Sequence, residues 1–226
     1  MKTVILEREA LYEQAAGQIA GILTEKPDAV IAMSAGRTML PLWQKLRQLD
    51  LEAVRLFQVA EFIGTEEHLT MRAMTEKNLL EGSNLRPENC FWLTEENYQE
   101  YENAIADVGG LDLAVLGIGD NAHIGFNEPA TQFDSRTHRQ KLTEKTRKQY
   151  GWHFGSEEST PAWGLSMGIR TITEARKIML LACGEEKAQA VFDMLYARND
   201  SIIPAAFLQI PAEVTVYADR EAGAKL

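Results

Sequence analysis

Two kinds of hydrophobic pattern alternate along the chain. Short apolar runs recur at Asp28–Met33, Arg55–Val59, Phe91–Leu93, Leu111–Leu116, Ile178–Cys183 and Val214–Tyr217. Runs of this kind, bounded by glycine, proline or polar turns, predict strands of a parallel sheet, where burial on both faces removes any polar alternation. Between them lie longer stretches with apolar residues at helical spacing. Residues 8–24 place Leu11, Ala15, Ile19, Ile22 and Leu23 on one face, and Pro27 ends that helix. Further helices are predicted over 40–49, within 65–80, over 95–106 and over 186–198. Strands alternating with helices predict one α/β domain over residues 1–226, with three α/β/α layers and a mainly parallel, Rossmann-like sheet. Residues 130–139 are polar and loop-like, residues 141–160 read as a lid, and the tail beyond Tyr217 is expected to fray.

The chemistry gathers where the strands end. After the run at Leu111–Leu116 come Gly117 and Gly119, then Asp120, Asn121, His123, Asn127 and Glu128. Alternate glycines let the backbone turn sharply and approach a ligand. In open α/β sheets, ligands bind at the carboxyl ends of strands. An imidazole and a carboxylate five residues apart there are the parts of an acid/base site. The plainer alternative is an ordinary turn with a surface histidine, and the spacing alone leaves it open. Ser34-Ala35-Gly36-Arg37-Thr38 follows a strand and precedes a helix, the layout of a phosphate cradle whose free N–H groups and dipole favour an anion. A simple βα turn also favours small residues. Lys187 opens a later helix in the same way.

Composition narrows the partners. A chain of 226 residues is long enough for one full-sized core. A net charge of −10 argues against nucleic acid and anionic membrane as partners, but leaves room for a small phosphorylated ligand. Two distant cysteines, Cys90 and Cys183, make neither a disulfide framework nor a metal pattern. No apolar stretch reaches the roughly 18 residues of a membrane span, and no signal peptide is read, so a cytoplasmic location is the default expectation.

The stretch G-I-G-D-N-A-H-I-G-F-N-E-P, Gly117 to Pro129, resembles the signature of the glucosamine-6-phosphate deaminase/isomerase family, whose cousins are the 6-phosphogluconolactonases. The lactonases share the first part but differ after the histidine, whereas F-N-E-P, Phe126 to Pro129, follows the deaminases. The resemblance extends through Lys26–Leu42, Arg55–Gly64 and Ala162–Lys187. It implies that His123 opens the sugar ring, with Glu128 orienting and charging the imidazole and Asn121 beside them. It implies a phosphate held by Ser34, Gly36, Arg37, Thr38 and Lys187, with Gly119 in the same site. No metal and no organic cofactor are implied.

Three positions, Ala60, Trp152 and the bulky Arg37, depart from the family's pattern. Ala60 stands where the family has the aspartate that moves a proton between sugar carbons 1 and 2, and a methyl group accepts no proton. The adjacent Glu61 reads as a structural carboxylate. Trp152 occupies the place of the arginine that grips the phosphate, which leaves Arg37 or Arg147 as its replacement. The leading expectation is isomerisation and deamination of glucosamine- or galactosamine-6-phosphate to a ketose 6-phosphate and ammonia, in amino-sugar catabolism. The alternatives are lactone hydrolysis on a related phosphosugar and a non-catalytic sugar-phosphate binder. A homo-oligomer is an open expectation.

Overall fold

The computed structural model describes residues 1–198, 201–211 and 213–226. Ten strands and seven helices follow in order: β1 (Lys2–Leu6), α1 (Arg8–Glu25), β2 (Val30–Met33), α2 (Leu40–Leu46), β3 (Arg55–Gln58), β4 (Ala60–Phe62), α3 (Met71–Thr75), β5 (Cys90–Phe91), α4 (Tyr101–Asp107), β6 (Leu113–Gly117), β7 (His138–Lys141), α5 (Glu144–Phe154), β8 (Trp163–Ser166), α6 (Ile169–Thr173), β9 (Lys177–Ala182), α7 (Ala188–Tyr196) and β10 (Val214–Asp219). Seven strands form the central sheet in the order β1-β10-β9-β6-β2-β3-β5, and all its pairings are parallel. This is the mainly parallel, helix-flanked α/β sheet expected from the apolar runs. Its middle strands are apolar because both faces are covered: all four residues of β2 and four of the five in β6 are buried.

Strand order reverses between β2 and β6. From β2 the chain builds outward through β3 to β5, and from β6 it builds the other way through β9 and β10. Such a reversal opens a crevice at the carboxyl ends of the two central strands. The loops that leave β2 and β6 there are Ser34–Thr38 and the stretch ending in Pro129.

A second, three-stranded antiparallel sheet, β4-β8-β7, lies beyond the first. Sequence patterning missed it, and it missed β1. The strands β1 and β7 are half exposed: β1 has only the three-residue apolar run Val4–Leu6, and β7 has none. Other expectations are corrected in detail. The helix placed at 95–106 begins only at Tyr101, because Asn97 closes a turn by accepting from the Thr94 N–H and donating to the Trp92 carbonyl. The loop read at 130–139 ends inside β7, and residues 144–154 form a helix. The tail is tied down: Asp219 accepts from the Gly184 and Ala222 N–H groups and from Arg8, and Ala222 is fully buried. Among the described residues no helix is long and apolar enough to cross a membrane.

Candidate active site

One cleft of about 430 Å³ opens at the carboxyl edge of the sheet. Ser34, Gly36, Arg37 and Thr38 line it from the turn after β2, Ala60 from β4, His123 from the turn after β6, and Lys187 from the turn after β9. Gln149, Tyr150 and Trp152 of α5 close the remaining side. Segments far apart in sequence therefore meet at one rim.

His123 is placed by its own loop. The Gly119 N–H donates to the His123 carbonyl at 2.9 Å and the Ala122 N–H to the Gly119 carbonyl at 3.0 Å, which folds the turn back on itself. Ala122 takes a left-handed φ of 63° to make that turn. A Cβ on Gly119 would lie 2.3 Å from the imidazole, so only glycine leaves room for the ring. Gly119 does not line the cleft. It is corrected from a ligand-binding residue to the seat of the histidine.

The imidazole does not bond to Glu128 directly. Its Nδ1 lies 2.7 Å from Asn121 Oδ1, and Asn121 Nδ2 donates to Glu128 Oε2 at 2.8 Å. Asn121 Oδ1 is an acceptor only, so Nδ1 carries the hydrogen and Nε2 holds the lone pair. Thr146 Oγ1 also reaches Nδ1, at 3.1 Å. Glu128 is 1% exposed and outside the cleft lining, held by the Thr143 N–H and hydroxyl. The expected direct pairing of His123 with Glu128 thus becomes a bridged one. Burial pushes the His123 pKa down to about 4, against the upward pull of Glu128 and Asp120. At neutral pH the ring is uncharged and basic at Nε2.

The turns after β2 and β9 give the cleft a surface that suits an anion. Lys187 is 5% exposed, burial pulls its pKa down, and among the described residues its ammonium has no ion-pair partner. The Ser34 hydroxyl is buried with no hydrogen-bond partner. A buried cation and an unsatisfied hydroxyl facing one space are costly unless something fills it. Gly36, at φ 143°, turns the backbone into the short helix that starts at Arg37. The Tyr12 hydroxyl braces that turn by donating to the Thr38 carbonyl.

Arg37 is exposed at the rim, its guanidinium 5.6 Å from the centre of the Trp152 ring. Arg147 points elsewhere: it donates to the carbonyls of Glu157, Glu158 and Thr160 and fastens that turn. Of the two candidates to replace the arginine lost at Trp152, only Arg37 reaches the cleft.

The methyl of Ala60 lines the cleft, and no carboxylate takes its place. Glu61 faces away and accepts from the Phe62, Met71 and Arg72 N–H groups and from Gln58 Nε2. It caps α3 and is structural, as the sequence suggested. His68 is exposed and outside the site. Thr143 and Thr146 were not singled out from sequence. The available signal was a threonine at the N-cap of a helix, which ordinarily means only capping. Among the described residues no three His, Cys, Asp or Glu side chains gather as a metal site would need.

Known proteins resemble this chain in sequence and in fold. The family described as glucosamine-6-phosphate isomerases/6-phosphogluconolactonase matches residues 7–217. A glucosamine-6-phosphate deaminase of Clostridium botulinum (strain Loch Maree / Type A3) is 34% identical, over 100% of this chain and 99% of its own. One from Bacillus pumilus (strain SAFR-032) is 34% identical over 96% of each chain. A solved structure of a monomeric glucosamine-6-phosphate deaminase superposes with a TM-score of 0.95 at 32% identity, over 100% of both chains. A 6-phosphogluconolactonase from Leishmania guyanensis, at 19% identity and a TM-score of 0.78 over 98% of this chain and 97% of its own, shares the fold. Matched by the family's model over residues 7–217 and by relatives over its full length, the chain belongs to the glucosamine-6-phosphate isomerase/6-phosphogluconolactonase family.

Proposed function

We propose that the chain converts a 6-phospho-amino-sugar, glucosamine- or galactosamine-6-phosphate, to a ketose 6-phosphate and ammonia. The relatives that match over full length carry that activity in their names. The observation that carries the reading is one cleft lined both by a neutral imidazole and by a buried lysine that has no ion-pair partner among the described residues. In this reading Ser34, Gly36, Thr38 and Lys187 hold the phosphate, and Arg37 adds a second cation from the rim. His123 takes a proton from the anomeric hydroxyl and returns it to the ring oxygen, which opens the sugar. Asn121 and Glu128 fix its tautomer from behind. The chain acts as a single domain, and residues 141–160 cover the bound sugar. A small sugar phosphate as ligand fits a cytoplasmic location.

Ala60 favours a second reading. With a methyl where the family's base stands, β4 offers the cleft no carboxylate to move the proton from carbon 2 to carbon 1. Binding without isomerisation, or hydrolysis of a phosphosugar lactone with Nε2 activating water, needs no such base.

Ammonia release from the two amino-sugar phosphates decides between them. Release by the wild type that His123→Ala abolishes supports the first reading. Without release, a ligand-induced rise in melting temperature identifies a binder, and 6-phosphogluconolactone turnover identifies a hydrolase. Ala60→Asp should then create or raise ammonia release, because the rest of the site is in place. Light scattering tests for a homo-oligomer, the assembly left open above. The structural relative is described as monomeric.

A further inference from the structure

Behind His123 a second connection to Glu128 runs through hydroxyls alone. The Nδ1–H points at Asn121 Oδ1 and, at 3.1 Å, also at Thr146 Oγ1. Because Nδ1 is the donor, Thr146 accepts there, and it accepts a second time from the Thr143 hydroxyl, 3.2 Å away. The Thr143 hydroxyl also lies 3.2 Å from Glu128 Oε2. It thus stands between Thr146 and the carboxylate, within reach of both, and links the ring to Glu128 through two oxygens. Both threonines belong to the start of α5, and Thr146 is fully buried. The N-cap function of Thr143 alone would not require Thr146 to be a hydroxyl.

We propose that Thr146 and Thr143 are positioning residues that transmit the charge of Glu128 to His123, so that the site's base is set only while α5 is docked. Asn121 supplies one branch and the two hydroxyls the other. Asn121 sits on the same loop as the histidine and remains whatever α5 does. The threonine branch exists only when the helix that walls the cleft is in place. Ligand enclosure and the readiness of the base are thereby linked. The other charged groups facing the ring are Asp120 on its own loop, Lys187 from the turn after β9 and Lys145 on α5. None of them lies in the hydroxyl chain.

This inference rests on His123 being the proton carrier, but its first test needs no substrate. In ¹⁵N-labelled protein at pH 7, the ring nitrogens of His123 should report one tautomer with hydrogen on Nδ1. Thr146→Val, equal in shape, should shift the Nδ1 signal and admit the other tautomer, and Thr146→Ser should restore it. Thr143→Val never touches the ring, yet it should move the same signal, with the backbone amides of α5 unchanged beyond the first turn, where Thr143 accepts from the Thr146 N–H. If wild type releases ammonia, Thr146→Val should lower kcat about tenfold, the worth of one hydrogen bond to a charged group, with KM unchanged and the acid limb of the pH profile displaced. Ring signals in Thr146→Val identical to wild type would overturn the proposal. So would a Thr143→Val spectrum in which the ring nitrogens do not move. Absence of ammonia release would count against the proposed function only, because the ring spectra decide the bridge independently.

Discussion

A histidine buried to 3% exposure and kept neutral has a consequence for stability. In the unfolded chain His123 titrates near 6.5, and in the folded protein burial holds it near 4. Below pH 6.5 the unfolded state therefore binds a proton that the folded state refuses. The associated stability is complete above the unfolded value and is lost as pH falls toward 4. By pH 5 the loss amounts to about 2 kcal/mol from this one ring. His123→Gln removes it. The variant should lose about 2 kcal/mol less than wild type between pH 7 and pH 5 in urea unfolding, and equal losses would refute the assignment. The same burial explains what sequence could and could not show here. His123 and Glu128 stood out by type and spacing. The intervening Asn121 bridge did not, because spacing gives proximity in the chain and not which atoms face each other.

Elements rather than single side chains decide whether the base at position 60 could be replaced. β4 is only three residues, and its alternation sends Ala60 to the cleft and Glu61 into the protein. There Glu61 satisfies the first N–H groups of α3, Met71 at 2.8 Å and Arg72 at 2.9 Å. A carboxylate so engaged cannot swing round to a sugar. Glu61→Ala would strand those donors and the Gln58 amide in a 6%-exposed site. It should cost about 2–4 kcal/mol in chemical denaturation, with Glu61→Gln losing less because its amide oxygen still accepts. A cost below 1 kcal/mol would show that α3 does not depend on this cap. The strands that sequence revealed were six of the central sheet, β2, β3, β5, β6, β9 and β10, and burial of most of them on both faces gives the apolar runs that carry the signal. β4, β7 and β8 were illegible because a short antiparallel ribbon is specified by its partners more than by its own residues. The cradle at Ser34–Thr38 was legible because strand, small residues and helix follow each other without interruption.

On the scale of the whole molecule, the site runs against the protein's own field. The chain carries a net charge of −10, yet its ligand is read as a phosphate dianion. Attraction must come from cations close at hand, where distance outweighs total charge. Arg8 at the cleft edge is spent on Asp219 and Glu221, which leaves Arg37 and Lys187. Lys187 carries the cost: it is buried, without an ion-pair partner among the described residues, and held below its ordinary pKa by desolvation. A group kept at a stability cost for its ligand should show a trade when it is removed. Lys187→Met fills the same space without charge and should stabilise the free protein by about 1 kcal/mol or more. The wild type should gain about 2.7 kcal/mol from glucosamine-6-phosphate at a hundred times its Kd, and the variant should gain almost nothing at the same concentration. Thermal unfolding of both proteins with and without the sugar reads the two effects together. A variant less stable than wild type when free, or stabilised equally by the sugar, would remove Lys187 from the phosphate end of the cleft and leave its burial without a ligand to explain it.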